Sequence, residues 1–285
     1  MKSNELMNNE LYMNMINQNV AYIKKVAKEK SIDTSIYEIA IVLGSGLSHV
    51  INDMNVHFEI KYKDMPFMPV STVKGHESRL VFGNFNGKNV IVMDGRFHYY
   101  EGYHLREVTM PVRIFKKLGI NKIILTNAAG ASNSEYKVGD IMIFKDHVNL
   151  TGLNPLIGQN LDEFGERFIP INGTYDEKLI EEIYSKAKEK DINIHKGVFM
   201  WFTGPSYETT AEVNIMRKLG VDARAMSTVP EIIVAAHSGM KVVAFSCITN
   251  VTLSNEKDDH NSVVENAKIG SKNMKEVLKI AAEVI

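Results

Sequence analysis

Cysteine, tryptophan and net charge are what this 285-residue chain has least of. The one cysteine, Cys247, excludes an intrachain disulfide and suits a reducing compartment. Thirty-three basic residues almost balance 34 acidic ones, so the formal net charge is -1 and nothing draws the chain to nucleic acid. It has no apolar run long enough for a spanning helix. Its N-terminus is acidic and asparagine-rich, where a signal peptide would be basic and then apolar. The histidines are scattered, without an H-E-x-x-H pair or a cysteine pair, so no metal site is expected. These absences leave, as the expectation, a soluble cytoplasmic protein with no nucleic-acid or membrane partner.

What is present is a series of hydrophobic strands that break into small or glycine-rich turns. Ile39–Leu43 leads into "GSGLS" at 44–48, the run at 91–93 into "DGRFHYYEG", and Asn121–Leu125 into "TNAAG". Further strands are expected at 140–150, 194–201 and Lys241–Cys247, and an Asn-Gly turn marks a hairpin between 79–84 and 89–93. Helical spacing appears from Val20 to Ala27, over 106–118, 176–190 and 261–282, and before Gly220 and Gly239. Pro111 predicts a late start or a kink in the second of these. Strands alternating with helices, without a linker or repeat, indicate one α/β domain with a central mixed β-sheet flanked by helices on both faces. Residues 1–15 read as a flexible N-terminal extension, with the domain over 16–285. The segment from 151 to about 174 is too long for a plain connection and reads as a functional or interface loop.

The loops carry polar residues suited to a phosphate-sized anion: Ser45, Arg96, His98 and Asn127. Arginine is the preferred planar donor to phosphate. Histidine adds a hydrogen bond and, when protonated, a charge; Glu101 stands close enough to orient His98. The Gly-Ser-Gly turn lacks the third glycine of a dinucleotide fingerprint, and no Walker loop or G-x-S-x-G elbow occurs. Read alone, Gly-Ser-Gly is equally a plain turn, and His98 a structural histidine. Glu208 and Asn250 each sit at a strand-to-loop edge. Together an acceptor carboxylate and an amide can read a heterocycle that presents a carbonyl beside a ring N–H. First-turn helix placement of Glu208 and an Asx turn at Asn250 are the competing readings.

Seven segments in this order, "VLGSGLS", "GRFHYYEGY", "LTNAAG", "DHVNL", "GPSYET", "AMSTVPE" and "SCITN", make the chain resemble the trimeric, low-molecular-mass purine nucleoside phosphorylases. The resemblance runs from about Tyr37 to Glu276. It implies the nucleoside phosphorylase fold, a homotrimer, and a cytoplasmic pentosyltransferase of purine salvage. Inosine, guanosine and their 2′-deoxy forms would be split by phosphate into free base and (deoxy)ribose 1-phosphate. No cofactor is implied; inorganic phosphate is a co-substrate.

Carried over residue by residue, the resemblance implies phosphate contacts from Ser45, His76, Arg96, His98, Ala128 and Ser227. It puts Tyr100, Met226 and His260 at the ribose, joined by Phe164 from the neighbouring subunit. Ala129, Gly130, Tyr207, Glu208 and Asn250 would bind the base, with Asn250, His98 and Glu208 as the catalytic set. Glu208 would accept the purine N1–H and Asn250 would bind O6 and N7. Adenine, with a lone pair at N1, would leave the carboxylate facing no donor, so 6-oxopurines are expected to be preferred. The related methylthioadenosine phosphorylases have aspartate where Asn250 stands. Four positions depart from the pattern: Arg224 and Ala225 stand where relatives often have a small apolar residue and glycine, Val251 replaces a lysine or methionine beside the amide, and Ala131 replaces a glycine. The methyl of Ala225 is expected to crowd the base. A nucleosidase using water would share the base site but need no anion cluster, and a non-catalytic binding module would need none of the chemistry.

Overall fold

The computed structural model describes residues 8–71, 77–251 and 260–285. Among them, apolar runs rich in β-branched residues form nine strands: β1 (Ile39–Leu43), β2 (Asn55–Lys61), β3 (Arg79–Phe85), β4 (Lys88–Asp94), β5 (Lys122–Ala131), β6 (Ile141–Asn149), β7 (Ile194–Trp201), β8 (Ala223–Ala225) and β9 (Lys241–Val251). Six helices alternate with them: α1 (Asn9–Glu29), α2 (Leu105–Lys117), α3 (Glu177–Glu189), α4 (Thr210–Lys218), α5 (Val229–His237) and α6 (His260–Val284). The strands form one sheet in the order β2-β3-β4-β1-β5-β8-β7-β6-β9. It is mixed: β1 runs parallel to both β4 and β5, while β3 and β4 form the expected antiparallel hairpin. β1 is buried at every position, as a strand covered on both faces must be. One group of helices, α1, α2 and α5, packs together, and a second group pairs α3 with α6 over β6, β7 and β9.

The sheet does not end at β9. That strand pairs antiparallel with β6 and parallel with β5, so β5, β8, β7, β6 and β9 close into a ring. This long-range pairing extends two strands beyond their expected ends. "TNAAG" is not a loop: β5 continues through Asn127, Ala128, Ala129 and Gly130, because β9 supplies hydrogen-bonding partners as far as Val251. β9 accordingly runs past Cys247 and carries Asn250 within the strand, opposite Gly130, after a register shift at Ala129/Gly130. Such irregularities re-aim side chains beside functional sites.

Two further expectations change. The boundary drawn after residue 15 falls inside α1, which starts at Asn9 behind an Asn8 cap. Tyr12, Met15 and Ile16 are buried, and the Tyr12 hydroxyl donates to the Arg106 carbonyl at 2.7 Å, which ties this first stretch to α2. Pro111 lies buried within α2 without delaying its start. His104 and Glu107 cap that helix reciprocally, with the His104 N–H donating to Glu107 Oε2 at 2.8 Å.

Candidate active site

The strand ends assemble one cavity. Fifteen of the residues singled out from the sequence line it: Ser45, Arg96, His98, Tyr100, Asn127, Ala128, Ala129, Gly130, Tyr207, Glu208, Arg224, Ala225, Met226, Ser227 and Asn250. His76 lies outside the described residues, and so does the side chain of His260.

At one end stands Arg96, on the turn after β4 and almost fully buried. Its Nη1 donates to Thr228 Oγ1 at 2.6 Å and to Ser227 Oγ at 3.2 Å, and lies 3.6 Å from Glu231 Oε2. Burial pulls its pKa down, and the Glu231 carboxylate opposes that. Thr228 holds the cluster together. It adopts φ 79°, an outlier for a β-branched residue. Its N–H donates to Glu231 Oε2 at 3.0 Å, which secures this strained turn at the start of α5. The same Thr228 hydroxyl accepts from Asn127 Nδ2 at 2.9 Å, and Ser246 donates to Asn127 Oδ1 at 2.7 Å. Asn127, read as an anion ligand, therefore spends its amide on positioning. Gly44 lets β1 approach β5 here: a Cβ at that position would stand 2.6 Å from the Asn127 α-carbon.

His98 adjoins this cluster. Its N–H donates to Glu101 Oε1 at 2.8 Å, and its Nδ1 lies 3.1 Å from the same oxygen, so Glu101 orients the ring. Burial lowers the His98 pKa, and the Glu101 hydrogen bond opposes the shift. The imidazole stacks on Tyr100 with centroids 4.8 Å apart. A Cβ on Gly204 would touch both Tyr100 and Met226, so these two side chains lie together on the wall between the ends.

At the other end Glu208 meets Arg224, with Oε2 and Nε 3.3 Å apart and side chains only 6% and 1% exposed. Arg224 Nη1 also donates to the Ala131 carbonyl at 2.6 Å. A Cβ on Gly130 would stand 2.8 Å from Arg224 Nη1 and 3.0 Å from Asn250 Nδ2, so guanidinium and amide flank one bare α-carbon. β5 links the two ends. At ~3.3 Å per residue, the strand spans about 10 Å from Asn127 to Gly130, the scale of a nucleoside.

Phe164 does not line the cavity of this chain. It is 7% exposed, with the Arg113 guanidinium 4.5 Å from its ring centre. The exposed aromatic of that segment is Phe168, at 86%. The sequence reading also missed Thr228 and Glu231, although both lie inside "AMSTVPE", from which it took only Met226 and Ser227 as contacts. Ala225 lines the cavity, whereas Ala131 is buried and contributes its carbonyl to Arg224. Among the described residues no group of three His, Cys, Asp or Glu is arranged to hold a metal ion.

Comparison with known proteins agrees with this geometry. The family model for the phosphorylase superfamily matches residues 38–283. The chain belongs to that superfamily. Relatives are purine nucleoside phosphorylases: purine nucleoside phosphorylase 1 of Bacillus subtilis (strain 168) is 48% identical over 230 residues, covering 80% of this chain and 85% of that protein. The Rattus norvegicus enzyme is 40% identical over 257 residues, covering 87% and 89%. A solved structure of Schistosoma mansoni purine nucleoside phosphorylase in complex with adenosine superposes with a TM-score of 0.87 at 34% identity, covering 95% of this chain and 96% of that one.

Proposed function

We propose that this superfamily member is a purine nucleoside phosphorylase that splits 6-oxopurine nucleosides with inorganic phosphate as co-substrate and without a cofactor. The observation that carries the reading is one cavity with two chemically distinct ends: a buried guanidinium, an imidazole and hydroxyls at one, and a carboxylate with an amide at the other. Arg96, Ser45, His98 and Ser227 hold the phosphate. A phosphate oxygen forms the new bond to C1′ as the C1′–N9 bond breaks, and the bonding pair leaves with the purine. Negative charge gathers toward N7 and O6, where Asn250 donates a hydrogen bond that tightens as charge develops. Glu208 accepts N1–H and keeps the base in register. Tyr100 and Met226 form the wall along the ribose.

The chain is further proposed to act as a cytoplasmic homotrimer. Leu150, Ile157 and Phe168, all exposed on or beside the segment after β6, support an intersubunit contact there, with Phe168 rather than Phe164 as the aromatic offered to a neighbour. No described helix is long and apolar enough to cross a membrane. Purified protein given inosine should release hypoxanthine and ribose 1-phosphate only when phosphate is present. Equal release without phosphate would make the protein a nucleosidase and overturn the reading.

A further inference from the structure

Arg224 is the charged residue at the base end to which no role has been given. Three observations define its position. It sits in β8 opposite Gly130 of β5, so the strand register fixes its backbone. Its Nη1 is anchored on the Ala131 carbonyl at 2.6 Å. Its Nε stands 3.3 Å from Glu208 Oε2, with both side chains buried.

A carboxylate in a closed cavity discriminates between bases through the penalty of being left without a donor. A 6-oxopurine supplies N1–H and avoids that penalty. A 6-aminopurine presents a lone pair at N1 and incurs it in full when the carboxylate has only the base for a partner. Here the guanidinium faces the carboxylate whichever base is bound. The penalty for a base without N1–H is therefore smaller, and so is the gain from a base that has it. A small apolar residue at this position would supply no such compensation.

We infer that Arg224 is a specificity-determining residue: by neutralising Glu208 it narrows the preference for 6-oxopurines, so that 6-aminopurine nucleosides are substrates of the same site. This rests on the phosphorylase reading, and the test separates the two. kcat/KM is measured for inosine and adenosine at saturating phosphate in the wild type, Arg224→Val and Arg224→Lys. In the wild type the inosine-to-adenosine ratio should lie below about 100, the scale of a site that rejects weakly. Arg224→Val should raise that ratio at least about tenfold, as loss of a buried charge partner requires. Arg224→Lys, which keeps the charge, should stay within about threefold of the wild type.

An unchanged or lower ratio in Arg224→Val, with inosine still cleaved, overturns the inference and leaves the phosphorylase reading intact. Wild-type protein that cleaves no inosine with phosphate overturns the reading itself. If Arg224→Val does not fold, competitive inhibition of the wild type by free adenine and hypoxanthine decides. Constants within about 100-fold of each other support the inference, and adenine weaker by more than about 1,000-fold overturns it.

Discussion

The Arg96 end of the cavity is held by side chains that answer one another across four elements: the turn after β4, the start of α5, and strands β5 and β9. At the Glu208 end the described contacts include the Glu208–Arg224 ion pair, the Arg224 anchor on the Ala131 carbonyl and a strand register that sets Asn250 opposite Gly130. Phosphate is the same ion in every turnover, so a rigid network, secured even by a threonine at positive φ, serves it without compromise. Bases differ at their edges. An end whose base-reading carboxylate meets a guanidinium can be retuned through that guanidinium, and Arg224 occupies that place.

The comparison can be broken most sharply at Arg96. Arg96→Gln removes one partner of a buried pair and should lower kcat/KM for phosphate by about 1,000-fold in steady-state assays. Asn250→Ala removes the donor that meets developing charge on the purine and should lower kcat by about 100-fold with little change in KM for phosphate. An equal rise in that KM would mean that the two ends are not separate. Thr228→Ala takes away the acceptor shared by Arg96 and Asn127 and should raise KM for phosphate about tenfold, without altering inosine-to-guanosine preference.

The smallest effect is one of pH. Burial lowers the His98 pKa, so the ring is neutral near pH 7 in the empty site, and a bound phosphate dianion raises the pKa again. Binding then takes up a proton, and affinity per dianion falls as pH rises through the neutral range, by at most about tenfold per unit. His98→Gln should lose that slope when phosphate affinity is titrated at several pH values.

Much of this was legible in the chain because it is local. The β-branched run Ile39–Leu43, the Asn-Gly hairpin and the strand 194–201 are specified by neighbouring residues, and so is the placing of Arg96 and His98 just after a strand. What was not legible depends on pairing between distant segments. Nothing in "LTNAAG" tells that β9 will keep it extended, and nothing in "SCITN" tells that Asn250 will face Gly130. Thr228 had no role in the sequence reading, since its positive φ follows from the Glu231 and Arg96 contacts around it. Phe164 and Phe168 have the same side chain in the same short segment. Packing separates them: Arg113 and Lys117 lie over the ring of the first, which joins the core, while the second is exposed. Arg224 read as a departure from pattern, and its meaning appears only once Glu208 is beside it.

The independence of the two ends is tested most directly by titrating hypoxanthine into wild-type protein and Arg96→Gln by calorimetry, with KM for phosphate measured on the same preparations. The account expects hypoxanthine affinity to stay within about twofold, as for sites without shared partners, while the phosphate term collapses. A parallel loss of hypoxanthine binding would contradict it and make the cavity a single coupled unit.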